Sequence, residues 1–515
     1  MTFLPRRETL FRVPFLIRLF ISIGVSLRLQ AQDSAFVQRS NIHLSLGQRP
    51  FYATGVNSYF LQNLAAYGDT THLDEIFQTA QTLGITTIRT WGFFDSPDST
   101  IPAVIQYAPG KYNEAGLRAL DYAVAAARAH SLRLIVPLVN NWDDYGGMNQ
   151  YVQWYADEFP SLTKRAPVSN QRVVFGTAGR KYNFRVSGSL THDDFYTQPT
   201  IRQWYKDYLR TLLNRINTVT QIPYKNEPTI LAWELANEPR SSDPSGGIVY
   251  NWLAEMSRYV KSIDANHLVS SGEEGLDISP VGYSPADSYN GQAWLFSGDG
   301  GISYSQNLTI PTLDVVSIHC YPEPWGLTVS EGIVWLRDHQ RLADASQKPL
   351  IIGEIGTRAQ PGLFYEVAFN EAYFSNSAGM LLWQLTFENS PYDDDYAFSC
   401  PASAGVCSIL EKYASRFEQK RNGTSAIPAA TFLLRNYPNP FNLTTVISYD
   451  LSARSQVLLE VFNSIGQKIG SPVDEIQDPG SHSMLFDAST HGGGSYFIRL
   501  TANGISHTQK VLLIK

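Results

Sequence analysis

The chain is expected to fold as an α/β protein, a (β/α)8 TIM barrel followed by a small all-β sandwich, and three observations lead there. Short apolar, β-rich runs alternate with amphipathic stretches of helical period through most of the chain, the pattern of a parallel sheet wrapped by helices. Two of those runs end abruptly in an acid: residues 230–240 read ILAWELANEPR and deliver Asn237 and Glu238 before Pro239, and residues 349–356 read PLIIGEIG and deliver Glu354. The C-terminal ends of strands are where such a barrel carries its chemistry. Beyond Lys420 the pattern changes to short alternating strands with turn residues between them.

Taken in order, the candidate barrel strands are 51–56, 85–90, 132–139, 229–236, 267–271, 313–319, 349–355 and 378–385. Helical periodicity at 114–130, 200–217 and 251–263 fills intervals between them. The separation of the two acids, 354 − 238 = 116 residues, fits three βα units of roughly 30 to 40 residues each. An open doubly wound sheet would want a glycine-rich phosphate turn after its first strand, and Ala53-Thr54-Gly55-Val56-Asn57 does not supply one.

Composition sets limits on function. The 515 residues are 43% hydrophobic and 17% charged, enough to bury a large core, and the net charge of −7 disfavours nucleic acid or an anionic membrane as main partner. Residues 1–31 read as a cleavable export signal: Arg6, Arg7, Arg12 and Arg18 precede a mostly apolar run at 19–29 that is too short for a membrane span, and Ala31 offers a small residue at the cleavage point. The mature protein is therefore expected to be exported, without a membrane span, and monomeric. Three cysteines exclude a dense disulfide framework; Cys400 and Cys407 could pair in an oxidising compartment, and Cys320 reads as a buried apolar residue turned away from the barrel axis. The sequence offers no metal-ligand cluster, and no cofactor is called for.

The division expected is a signal over 1–31, a catalytic barrel over 32–420, a polar linker over 421–430, and a sandwich over 431–515 with strands near 445–451, 457–462, 483–486, 496–501 and 508–514. Within the sandwich, NYPNPFN (436–442), VFNSIGQKI (461–469) and GGSYFIRLTANG (493–504) closely resemble the C-terminal sorting domains of the type IX secretion system. That resemblance implies a Gram-negative bacterium of the Bacteroidetes kind, the type IX machinery as partner, and an extracellular or cell-surface destination. A carbohydrate-binding module is the alternative, but Phe441, Tyr449, Phe462, Phe486, Tyr496 and Phe497 mostly take core-like alternate positions and leave no aromatic platform.

The candidate site is built from strand ends. Alone, Glu238 or Glu354 reads equally as a loop acid; together they supply the two carboxyl groups that glycoside hydrolysis needs, one protonated to donate to the leaving oxygen and one ionised to attack. Arg89, ending the run Thr86-Thr87-Ile88-Arg89, is a charge that lowers the pKa of a nearby carboxylate and is placed on the nucleophile's side. His319 and Tyr321 share a strand face, so both can reach the site. A neutral polysaccharide wants aromatic platforms with amides between them, and Trp91, Trp142, Trp325 and Trp383 follow or end strands near Asn140, Asn141 and Gln384. Trp154, Trp204, Trp233, Trp252 and Trp335 lie within helix or strand bodies and are expected in the core.

The set Arg89, Asn237-Glu238, His319, Tyr321, Glu354 and Trp383 is similar to the active site of glycoside hydrolase family 5. The resemblance spans roughly 40–420 and implies Glu238 as acid/base, Glu354 as nucleophile, Asn237 on the 2-hydroxyl and Trp383 beneath the sugar being cleaved. Residues 138–155 (LVNNWDDYGGMNQYVQWY), GVNSYFL at 55–61 and IRTWGF at 88–93 resemble the endo-β-1,4-mannanases of that family, implying a secreted, retaining enzyme acting on mannan, galactomannan or glucomannan. Asn140 and Asn141 stand where many cellulases of the wider family carry a His. An endo-β-1,4-glucanase remains the alternative, and a noncatalytic glycan-binding barrel a remoter one. The insertion at 158–194, with strand-like 172–175 and 183–186, is expected to form a hairpin beside the cleft; Asp393-Asp394-Asp395 has no assigned role, and the Asn-x-Thr triplets at Asn307, Asn422 and Asn442 would matter only in a eukaryotic secretory route.

Overall fold

A computed structural model describes residues 35–160, 173–175, 181–183, 190–358, 361–423 and 435–515, the last without 452–453, 479 and 503–504. The expected signal at 1–31, most of the expected linker and most of the 158–194 insertion lie outside the described residues.

Eight parallel strands make one sheet: β1 (Ala53–Asn57), β2 (Thr87–Arg89), β3 (Arg133–Pro137), β4 (Ile230–Glu234), β5 (Leu268–Ser270), β6 (Val316–Cys320), β7 (Leu350–Ile355) and β8 (Gly379–Leu382). Their order is β5-β4-β3-β2-β1-β8-β7-β6, and a parallel bridge between Ser270 and Val315 joins the two ends into a barrel. The eight expected strands all recur, each shorter than its apolar run. Around the sheet lie α1 (Thr70–Thr82), α2 (Glu114–Ala129), α3 (Pro199–Asn214), α4 (Gly247–Ile263), α5 (Val329–Ala345), α6 (Pro361–Phe374) and α7 (Ala404–Arg421). Local chemistry sets several starts: Asp69 and Asn113 accept from the first turns of α1 and α2, Pro199 opens α3, and Thr328 with Glu331 forms a reciprocal capping box on α5.

A three-stranded antiparallel sheet (Val37–Ser40, His43–Leu46, Arg49–Phe51) packs Val37, Leu44 and Phe51 against Ala53, Leu268, Val315 and Ile351 at the strand starts, closing that end of the barrel with apolar side chains. The polar residues are left for the other end. Of the insertion, Val173–Phe175 pairs antiparallel with Lys181–Asn183, a hairpin whose second strand begins two residues before the expected 183. Cys400 and Cys407 are joined by a disulfide, and Cys320 is buried with its thiol toward the Gly332 carbonyl of α5.

After α7 come β9 (Arg435–Tyr437), β10 (Thr444–Leu451), β11 (Ser455–Asn463), β12 (Lys468–Gln477), β13 (Gly480–Asp487), β14 (Gly494–Ala502) and β15 (Ile505–Leu513). They form a three-stranded sheet, β9-β10-β13, facing a four-stranded sheet, β12-β11-β14-β15, over one core containing Phe441, Tyr449, Phe486 and Tyr496. Two of these strands were not expected from sequence: β9 is very short, and β12 is an edge strand with little burial and thus no apolar alternation to mark it.

Candidate active site

Arg89, the last residue of β2, is 1% exposed at the centre of the polar end. Its Nε donates to Glu234 Oε2 at 2.5 Å, Nη1 to Glu354 Oε1 at 2.6 Å and to Asn57 Oδ1 at 3.2 Å, and Nη2 to Asn237 Oδ1 at 2.7 Å. Burial works to lower the arginine pKa, but the charges of Glu234 and Glu354 outweigh it and raise it, so the cation is fixed.

Glu354 reaches this cation through a break in strand regularity. Along β7, Ile351 packs inside the barrel and Ile352 outside it, and simple alternation would send Glu354 outward with Ile352. The pairing with both neighbouring strands shifts register between Ile352 and Ile355, a bulge that turns Glu354 into the site while Ile355 packs outside again. Gly353 makes room: a Cβ there would meet Ser317 Oγ at 2.6 Å and His319 Nε2 at 3.2 Å. The second oxygen of Glu354 accepts the Tyr321 hydroxyl at 2.6 Å.

Glu238 follows β4 and sits in a left-handed conformation, φ 52°, which a non-glycine residue adopts at some cost in strain. Its Oε1 lies 2.7 Å from His319 Nδ1 and its Oε2 accepts the Trp142 indole N–H at 2.6 Å. The Arg240 guanidinium lies 5.3 Å from the Trp142 ring centre and forms a two-pronged ion pair with Glu274. Glu238 and Glu354 are both almost fully buried, and burial raises both pKa values; Arg240, the Trp142 N–H and Arg89 oppose this at Glu238, and His319 and Arg89 oppose it at Glu354. The contacts separate their roles. Glu354 touches a guanidinium directly, whereas the groups that touch Glu238 are an indole and an imidazole whose own pKa burial lowers. Glu238 is thus the better proton holder and Glu354 the better anion.

One ligand atom each from Glu238, His319 and Glu354 lies within 4.8 Å of the others, so the carboxyl groups are close neighbours. Such a trio could in geometry hold a metal ion, but Arg89 already places a positive charge on Glu354, which disfavours a second cation.

The other sequence-selected residues divide. Asn237 joins the centre, accepting from Arg89 and donating to Asn140 Oδ1 at 3.0 Å. Asn140 and Asn141 are fully buried; Asn140 also accepts the Trp142 backbone N–H and donates to the Asp144 carbonyl, and Asn141 accepts the Arg240 N–H. These two asparagines brace the loop that carries Trp142. Trp91, Trp142 and Trp325 are 6%, 6% and 3% exposed, so none offers the open platform expected of it. Trp325 packs against Trp335 and Trp294, while Trp91 packs against Phe93, Tyr145 and Tyr59. Trp383 is half-buried, with its ring stacked on Tyr59 at 5.6 Å and 8° between planes. Gln384 beside it is fully buried and donates to the Tyr392 carbonyl.

Sequence reasoning missed Glu234, Asn57, Tyr59, Glu274 and Asp394. Glu234 carried a usable signal, an acid inside an apolar strand, since a buried charge demands a partner. Tyr59 and Asp394 sit in loops whose folding no periodicity announces.

A closed eight-stranded barrel with two buried, adjacent carboxyl groups at its polar end defines a carboxylate-pair hydrolase of the glycosidase type. The sequence profile described as GH family 5 beta-mannosidase-like matches residues 34–285, that of cellulase (glycosyl hydrolase family 5) matches 188–389, and that of the secretion system C-terminal sorting domain matches 435–515. A mannan endo-1,4-beta-mannosidase 2 of Oryza sativa subsp. japonica is 34% identical over 423 residues, covering 78% of this chain and 88% of the relative, and a mannan endo-1,4-beta-mannosidase 7 of Arabidopsis thaliana is 32% identical, covering 75% and 86%. The endo-beta-1,4-mannanase structure from Thermotoga petrophila superposes with TM-score 0.63 at 27% identity, covering 90% of this chain and 97% of that one; the endo-1,4-beta-mannanase from Rhizomucor miehei gives 0.61 at 28%, covering 75% and 100%. The chain belongs to glycoside hydrolase family 5 and carries a C-terminal secretion sorting domain.

Proposed function

We propose that this protein is a secreted, retaining endo-β-1,4-mannanase in which Glu238 is the acid/base and Glu354 the nucleophile. The observation that carries the mechanism is the closeness of the two carboxyl groups, with ligand atoms inside 4.8 Å. Retaining glycosidases hold theirs about 5–5.5 Å apart, whereas inverting ones leave about 6.5–9.5 Å for a water between them. The mannan preference is supported by the relatives and structures just described, all named for that activity.

In the first step Glu238 gives its proton to the glycosidic oxygen as Glu354 attacks the anomeric carbon, so that the leaving chain departs neutral and the sugar is esterified to Glu354. Arg89 and Tyr321 hold Glu354 by one oxygen each, which orients it and favours its anion. Glu238, now ionised, takes a proton from water, which attacks the same carbon from the face the leaving group vacated and releases Glu354. His319 and Trp142 keep Glu238 aimed through both steps. Asn237 has an amide N–H beyond the one given to Asn140, suited to the 2-hydroxyl, and half-buried Trp383 is suited to lie under the sugar.

The organisation that accompanies this reading is a signal over 1–31, a catalytic barrel over 32–420, a linker over 421–430 and a sorting domain over 431–515. The sorting domain supports export through the type IX machinery of a Gram-negative bacterium to the medium or cell surface, and no helix among the described residues is long and apolar enough to cross a membrane. Reducing-sugar release on linear mannan, galactomannan, glucomannan and carboxymethyl cellulose tests the substrate. Strong release from the mannans with little from cellulose is expected; the reverse order would make the protein a β-glucanase.

A further inference from the structure

We propose that Asp394 is a positioning residue that sets the lie of the Trp383 indole, and through it the floor beneath the sugar at the cleavage point. The proposal rests on the mannanase reading above for what that floor carries, and on geometry for the rest.

Stacking on Tyr59 fixes the plane of the Trp383 ring but leaves it free to slide and turn within that plane. The indole N–H donates to Asp394 Oδ2 at 2.7 Å, and this bond removes that freedom. The same oxygen accepts the Gln384 side-chain amide at 3.2 Å, while Oδ1 accepts the Tyr396 backbone N–H at 2.9 Å and so shapes the loop that presents the carboxylate.

The loop itself is anchored on both sides. Tyr392 stacks on Phe60 at 4.3 Å with the rings 1° from parallel. Tyr396 packs against Tyr321, the residue that holds Glu354, at 5.2 Å. Arg358 pairs with Asp395 at 3.2 Å and lies over the Tyr396 ring. Asp394 therefore ties the sugar floor to the aromatic contact behind the nucleophile's tyrosine. Within the acidic triplet the work is divided: Asp395 takes Arg358, and the Asp394 carboxylate reaches Trp383 and Gln384. Asp394 is exposed, so its replacement leaves the barrel core untouched.

Losing a group that aligns the reacting sugar falls mainly on kcat. Asp394→Ala is expected to lower kcat on linear mannan about tenfold, the scale of one charge-assisted hydrogen bond, with KM changed less than threefold. Asp394→Asn, which keeps an acceptor for the indole, is expected to recover most of the loss. In a Trp383→Phe background, which has no N–H to hold, Asp394→Ala is expected to cost less than twofold further. A readout independent of turnover is the Trp383 indole proton in protein labelled with 15N-tryptophan, assigned by its disappearance in Trp383→Phe; it should move upfield in Asp394→Ala and much less in Asp394→Asn. An unmoved resonance in Asp394→Ala, or a kcat loss as large in the Trp383→Phe background as in the wild type, would overturn the proposal. Inactivity of the wild type on mannan would instead refute the functional reading, while the resonance still decides on Asp394.

Discussion

Arg89 grips Glu354 at 2.6 Å with one nitrogen while another holds the buried Glu234 at 2.5 Å, so a single guanidinium is both the nucleophile's counter-ion and the partner of a second acid. Replacement of Arg89 by Met should therefore act on stability as well as rate. Removing one member of a buried ion pair strands a charge and costs about 3–5 kcal/mol. We expect Arg89→Met to lower the denaturant midpoint accordingly and to cut kcat/KM at least a hundredfold; an unshifted midpoint would show that Glu234 is satisfied in another way.

Glu238 should oppose stability where it serves catalysis. Burial raises its folded-state pKa above the unfolded value, so the folded protein prefers the protonated form: that stabilisation is full at low pH and is lost as pH rises through the folded-state value. Glu238→Gln is neutral at every pH. It should be inactive on mannan yet melt higher than wild type at pH 8, with the gap narrowing at pH 5. Equal melting temperatures at both pH values would contradict the raised pKa.

The Trp142 indole N–H favours ionised Glu238 and so holds its pKa down. Trp142→Phe removes that donor, the Glu238 pKa rises further, and the alkaline limb of the kcat/KM profile should move to higher pH. A limb that stays in place would mean another group governs it.

The Cys400–Cys407 bridge ties the loop that leads into α7 to the first turn of that helix. Replacing both cysteines with Ser should cost about 2 kcal/mol and a few degrees of Tm, with kcat/KM changed less than threefold. A loss of activity beyond tenfold at full folding would tie the bridge to the site.

Much of the architecture was legible because it rests on periodicity. Each β-rich run of the barrel became a strand, and the strand-end logic brought Arg89, Glu238, His319, Tyr321 and Glu354 together. The limits were equally physical. Alternation alone points Glu354 away from the site, and the bulge beside Gly353 that corrects it has no signature in an apolar run. Counting aromatics at strand ends could not tell the half-buried Trp383 from Trp325, which the fold packs against Trp335 and Trp294. The amides Asn140 and Asn141 lie beside the site, where they brace the loop that carries Trp142. Asp394 stayed hidden in an acidic loop until the fold brought the indole to it.

The central claim is that Glu354 forms a covalent bond to the sugar. Incubation with a 2-deoxy-2-fluoro-mannobiosyl fluoride should trap that intermediate, adding one glycosyl mass to the intact protein, and digestion should place it on the peptide containing Glu354. A wild-type enzyme that turns over mannan but gains no mass, or gains it on another residue, would contradict the account.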